Sequence, residues 1–168
     1  VIQVQHHYAH ILSCMAENNL EFSDNENKIL GVSWDGTGYG SDGTIWGSEF
    51  LIPEGKDFRR AAYLKPFLLP GGEKAIYEVW RIGFALLYDI FGEEVFSLKR
   101  IDFLNKTNEI NLIRQMLDKS INSPVTTSMG RLFDGISAII GILSTVNFEA
   151  QAAMELEFAA DDFLTDDF

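Results

Sequence analysis

Between Leu30 and Phe50 the chain reads LGVSWDGTGYGSDGTIWGSEF: an apolar run ending at Asp35, a glycine-rich stretch (Gly36, Thr37, Gly38, Tyr39, Gly40), and a second β-prone run from Thr44. Two such runs joined by turn-forming residues fold back on each other as a hairpin. Glycine reaches backbone conformations closed to other residues and lets an anion come close to the main-chain N–H groups. An aspartate at the end of the first strand repels phosphate but can hold a metal ion that binds it. The same residues also suit an ordinary hairpin with a generous loop, so this stretch restricts the fold more than the chemistry.

The 168 residues suffice for a domain with a real core, and 46% hydrophobic residues agree with a globular protein. Thirteen basic against twenty-five acidic residues give a formal net charge of −12. That balance argues against a surface that tracks nucleic acid, which needs clustered Lys and Arg. Part of the acidity lies in a tail over 161–168 that carries Asp161, Asp162, Asp166 and Asp167 and is expected to be solvated. Cys14 is the only cysteine, so no intrachain disulfide forms and a reducing, cytoplasmic setting is expected. Its place in ILSCMA predicts a packed small side chain, with His10 one turn earlier as the one nearby base. No run is long enough to span a bilayer, and the opening VIQVQHH lacks an initiator methionine, as expected for part of a longer protein.

The patterning predicts a short strand over Val1–Gln5, a helix over Tyr8–Asn19, and a polar loop EFSDNEN. Paired strands follow over Lys28–Asp35 and Thr44–Ile52, then a third over Phe58–Leu64 and a connector containing Pro66, Pro70, Gly71 and Gly72. Helices are predicted over Ala75–Phe91, Glu109–Leu117, Ser128–Leu143 and Phe148–Ala160. Three or more strands followed by helices indicate a mixed α/β layered domain over 1–160.

Three groups of residues carry chemistry. His6, His7 and His10 are all the histidines in the chain. On a helix His6 and His10 share a face four residues apart, which suits two imidazoles on one metal ion, with Asp35 the natural third ligand. His7 and His10 match that spacing less well, and a surface cluster without a ligand fits the spacing too. Gly130, Arg131 and Asp134 in SPVTTSMGRLFDG fall in the first turns of a helix, whose free N–H groups attract anions. A capped core helix with a surface Arg–Asp pair explains the same residues. Glu149 opens the last helix, where it suits a ribose hydroxyl, a metal-bound water, or simply the helix dipole. Trp34, Trp46 and Trp80 are expected in the core.

QHHYAH, WDGTGYGSDGTIWGSEF, PFLLPGGEKA, INSPVTTSMGRLFDG and NFEAQAAMELE, in this order from Gln5 to about Glu157, resemble consecutive landmarks of the HypF family, carbamoyltransferases of nickel–iron hydrogenase maturation. The resemblance implies part of an actin/Hsp70-like (RNase-H-like) nucleotide-binding fold. It implies a divalent metal (iron, zinc or magnesium) on His6 and His10, to which the reading of the residues above adds Asp35. It also implies contact of ATP or carbamoyl-adenylate with Asp35, Gly36, Thr37 and Gly38 and with Gly130, Asp134 and Glu149. In such a family the carbamoyl group of carbamoyl-adenylate passes to the C-terminal cysteine of a HypE-like partner, and no catalytic nucleophile is expected from this chain. The remaining HypF domains, which make the adenylate, are further expected partners; nucleic acid and membrane are not. Related readings are a carbamoyltransferase acting on a small-molecule hydroxyl, and a non-catalytic fragment that binds nucleotide or partner. Against the family pattern, Ala150 replaces a glycine after Glu149 and Tyr8 replaces a histidine. The later glycine-rich nucleotide segment, with the aspartate that completes the metal site, is missing. A domain so cut is expected to expose apolar surface, for instance from the helix over Ala75–Phe91.

Overall fold

The computed structural model describes residues 3–21 and 29–161. These form two compact units, one of residues 3–21 and 29–66 with 126–129 and the other of 67–125 with 130–161.

The first unit is a helix packed on a mixed sheet. Helix α1 (His6–Glu17) begins at the cap residue Gln5, whose side chain accepts from the Tyr8 amide. Residues 3–5 therefore lead into a helix and form no strand, while residues 1 and 2 of the expected strand lie outside the described residues. Strands β1 (Gly31–Tyr39) and β2 (Ile45–Glu54) pair antiparallel, and β2 pairs antiparallel with β3 (Asp57–Tyr63). Thr126, from the short β5 (Val125–Thr126), runs parallel to Ile45. Tyr8, Ile11 and Met15 recur at helical spacing and bury against Trp46 and Leu51. Gly31 lets the helix come close, since a Cβ there would lie 2.5 Å from the Ile11 Cδ1.

The glycine-rich stretch does not form the expected turn. Gly36 to Tyr39 continue β1 across an irregularity in register between Trp34 and Gly38, and the chain reverses over Gly40–Gly43. Asp42 organises that reversal by accepting from the Thr44 amide (3.0 Å), the Thr44 hydroxyl (2.6 Å) and the Trp46 indole (2.9 Å). Short-side-chain acceptors of this kind stabilise turns locally.

The second unit is mainly helical. It contains β4 (Phe67–Leu68), α2 (Glu73–Tyr77), α3 (Trp80–Phe91), α4 (Thr107–Asp118), α5 (Met129–Ile140) and α6 (Gln151–Asp161), with 3₁₀ turns at Gly92–Ser97 and Asp102–Asn105. The single helix expected over Ala75–Phe91 is broken at Glu78 and Val79. There the Val146 amide takes the Tyr77 carbonyl (2.9 Å), and the Trp80 amide turns to the Ser144 carbonyl (3.1 Å). Tertiary partners thus replace the helical ones. Trp80, Phe84 and Leu87 of α3 meet Ile110 and Ile113 of α4 in the core. Each such side chain contributes about 1.5–3 kcal/mol on full burial. Trp34 is exposed rather than in a core, and so is Cys14. The α3 helix is mostly buried, leaving only Ile90 and Phe91 of its large apolar residues exposed.

Candidate functional site

Helix α1 and strand β1 bring three ligand-type side chains to one point. Helical spacing stacks His6 over His10, with the two Nε2 atoms 3.3 Å apart. From the sheet, Asp35 Oδ2 lies 2.6 Å from His6 Nε2 and 3.9 Å from His10 Nε2. Zinc bound tetrahedrally at about 2.0–2.1 Å from each ligand sets neighbouring ligand atoms about 3.3 Å apart. The His6–His10 separation already matches this, and the Asp35 distances bracket it. All three ligand atoms lie within 4.8 Å of one another, and two imidazoles with one carboxylate are a donor set that suits a divalent transition metal. Among the described residues the site is open, with both imidazoles exposed and Asp35 half-buried.

Asp35 is held as an anion. Partial burial opposes its charge, but hydrogen bonds from His6 and from the Gly36 amide (2.7 Å) outweigh burial and keep its pKa below the ordinary carboxylate range. Its main chain is fixed from outside the hairpin. Ser128 Oγ sits 2.9 Å from the Asp35 carbonyl oxygen and 2.8 Å from that of Gly36, which share its proton.

His7 is not part of this cluster. It is fully buried, with Nδ1 3.0 Å from Gln5 Nε2 and its ring against Gly38. Desolvation by burial, with the neighbouring His6 imidazole, holds its pKa below the ordinary histidine value.

The hairpin is braced by residues that sequence patterning missed. Glu49 is fully buried on β2. Its carboxylate accepts from Arg60 Nε (2.5 Å) and from the Thr127 hydroxyl (2.6 Å). The Arg60 guanidinium lies between the rings of Trp46 and Tyr63, 3.9 and 3.8 Å from their centroids. Alternation along β2 marks Glu49 only as one more strand position, so its burial has no local signal.

In the second unit, α5 carries Gly130, Arg131 and Asp134. The expected surface Arg–Asp pair is instead buried: Arg131 Nη1 lies 2.9 Å from Asp134 Oδ2, and both side chains are almost wholly enclosed. Arg131 Nη2 also donates to the exposed Glu149 (3.2 Å). Burial pushes the Asp134 carboxyl up to about 6, Arg131 pulls it down, and Glu149 adds to the rise. The contact of Asp134 Oδ2 with Arg131 Nη1 is an ion pair without hydrogen-bond geometry. Ala150 does not sit within the helix, as its helix propensity suggests. It has φ +67° immediately before α6.

Comparison with known proteins then decides the family. Residues 31–167 match the family model described as carbamoyltransferase, Kae1-like domain, second subdomain. The chain belongs to the HypF carbamoyltransferase family. Carbamoyltransferase HypF of Synechocystis is 43% identical over 98% of this chain and 23% of its own length. The probable carbamoyltransferase HypF of Methanocaldococcus jannaschii is 36% identical over 99% of this chain and 21% of its own. A crystal structure of full-length HypF in a phosphate- and nucleotide-bound form superposes with a TM-score of 0.80 at 43% identity, over 93% of this chain and 20% of that one. The structure of T. kodakarensis HypF gives 0.81 at 33% identity, over 99% and 22%. The chain therefore spans about a fifth of the length of these relatives, and its mixed α/β fold is that of the corresponding HypF segment.

Proposed function

We propose that this chain is the part of a HypF-type carbamoyltransferase that holds a divalent metal on His6, His10 and Asp35 and touches the phosphates of a nucleotide. The reaction is passage of a carbamoyl group from carbamoyl-adenylate to the C-terminal cysteine thiolate of a HypE-like acceptor. A bond forms between sulfur and the carbamoyl carbon while the bond to the adenylate oxygen breaks, and AMP leaves with that electron pair. A cation bound here would supply Lewis acidity toward the carbamoyl oxygen or the departing phosphate. The side chains then have simple duties. His6 and His10 present Nε2 lone pairs, and Asp35 supplies the negative charge that anchors a cation. Gly36, Thr37 and Gly38 offer a backbone edge that phosphate can approach. In the second unit, Gly130, Asp134 and Glu149 are assigned to the nucleotide. Asp134, ion-paired with Arg131 and with its carboxyl pushed up to about 6 by burial, is a hydrogen-bonding group for a hydroxyl such as a ribose. The convergence of His6, His10 and Asp35 from two separate elements is the observation that carries this reading.

Thermal denaturation of the chain with AMP and Zn²⁺, alone and together, tests it. A nucleotide-dependent rise in melting temperature that needs the metal and disappears in His6→Ala/His10→Ala is the expected result. A cooperatively melting chain that responds to neither would show that these residues do not form a working site in this segment.

A further inference from the structure

The order in space of the helix imidazoles and the strand carboxylate depends on where α1 sits along β1, and beside the apolar packing of Tyr8, Ile11 and Met15 one pair of side chains ties that position by hydrogen bonds. Gln5 Oε1 accepts from the Tyr8 amide at 2.9 Å and caps the helix. This contact fixes the amide orientation, so Nε2 is the donor at its other end. That nitrogen reaches His7 Nδ1 (3.0 Å) and the Tyr39 carbonyl of β1 (3.2 Å). Since Nδ1 of His7 accepts, its proton resides on Nε2.

The His7 ring is seated on Gly38. A Cβ at that position would collide with His7 Cε1 and would lie 2.8 Å from His6 Cδ2. The Nε2–H of His7 is buried and finds no hydrogen-bond partner among the described residues. A phenyl ring would fill the same seat without that desolvation penalty. What an imidazole adds here is the Nδ1 acceptor facing Gln5.

We propose that Gln5 and His7 are positioning residues: together they clamp α1 to the Gly38–Tyr39 segment of β1, holding His6 and His10 in register with Asp35 for a divalent cation. The proposal rests on the metal reading above. It goes further by assigning the pre-arrangement of the site to two side chains that do not themselves coordinate. Groups that orient metal ligands commonly change metal affinity by 10–100-fold.

The test uses the chain with Co²⁺ alone, read by its visible absorption and by competition with a chelating dye, beside the melting temperature without metal. Gln5→Ser retains a good helix cap but cannot span to His7 and Tyr39. It is expected to bind Co²⁺ about tenfold more weakly, with a shifted visible band, and to melt within a few degrees of the wild type. Wild-type affinity and spectrum in Gln5→Ser, with binding abolished in His6→Ala, would overturn the clamp. Should Gln5→Ser unfold, His7→Asn and His7→Ala decide instead. The Asn oxygen can take the place of Nδ1, so His7→Asn should bind Co²⁺ more tightly than His7→Ala, and equal losses count against the proposal. Absence of Co²⁺ binding in the wild type would refute the metal reading and leave the clamp to be judged in the metal-free chain by histidine ¹⁵N spectra. There, loss of the His6–Asp35 hydrogen bond in Gln5→Ser supports the clamp, and its persistence overturns it.

Discussion

Ala150 shows how much a single residue's backbone matters. With φ +67° it occupies the left-handed region, where a Cβ meets its own carbonyl at a cost of about 1 kcal/mol. It stands between Glu149, which binds Arg131, and the start of α6, so the strained turn aims a residue assigned to the nucleotide. Ala150→Gly is therefore expected to stabilise the protein slightly, by up to about 0.5 kcal/mol, the relief of strain exceeding the extra freedom of the unfolded chain. Urea unfolding measures this directly, and a destabilised variant would show that the turn is not strained as described. Sequence patterning places Glu149 in a first helical turn and alanine within the helix. Only the structure reveals that the helix starts at Gln151, three residues after the expected Phe148.

Among the elements, the β1–β2 hairpin carries Asp35 and the glycine edge beside it, and its support is the least expected. Its brace is a buried carboxylate, Glu49, paired with Arg60 and Thr127. Removing one partner of a buried ion pair leaves the other charge uncompensated, which typically costs 3–5 kcal/mol. Arg60 also retains Asp42 at 3.1 Å and two aromatic faces. Glu49→Ala should therefore fall at the low end, about 3 kcal/mol, in urea unfolding. A double-mutant cycle with Arg60→Met should return a coupling above about 1 kcal/mol. Additivity would mean that the two side chains act independently. The hairpin itself was legible because alternating strands flank turn formers. The place of its turn was not, because Asp42 competes for it through side-chain hydrogen bonds that composition does not display.

For the molecule as a whole, a formal net charge of −12 makes pH a strong lever, and Asp134 titrates in the opposite sense to Asp35, Asp42 and Glu78, whose carboxyls are held below their ordinary range. Its pKa is about 6 when folded against 3.8 as a reference. Between those values the folded state binds more protons than the unfolded chain. The stabilisation is thus complete below about pH 4 and is lost as pH rises through about 6, a change on the order of 3 kcal/mol. Asp134→Asn removes the titration. The stability of wild type relative to this variant should fall across that window, as followed by urea midpoints, and a flat difference would place the titration elsewhere. The two units hold separate cores, one around Trp46 and one around Trp80. Among the described residues no helix is long and apolar enough to cross a membrane. Exposed large apolar side chains include Val32 and Trp34 on β1 and Ile140, Met154 and Phe158 on later helices, while α3 exposes only Ile90 and Phe91.

What the sequence determined by itself was local and periodic. Four-residue spacing put His6 and His10 on one helical face, alternation around glycine made a hairpin, and apolar repeats marked the helices of the second unit. The ordered motifs also pointed to the family. Tertiary structure decided everything that depends on partners distant in the chain. It broke the helix after Tyr77, because the Ser144–Val146 segment took over its backbone hydrogen bonds. It buried Glu49, Arg131 and Asp134, charged residues whose enclosure depends on partners that no local pattern shows. It turned His7 inward onto Gly38, separating one histidine from a cluster of three whose members look alike in the sequence. Spacing fixes which side chains share a face; only packing against another element fixes what that face meets.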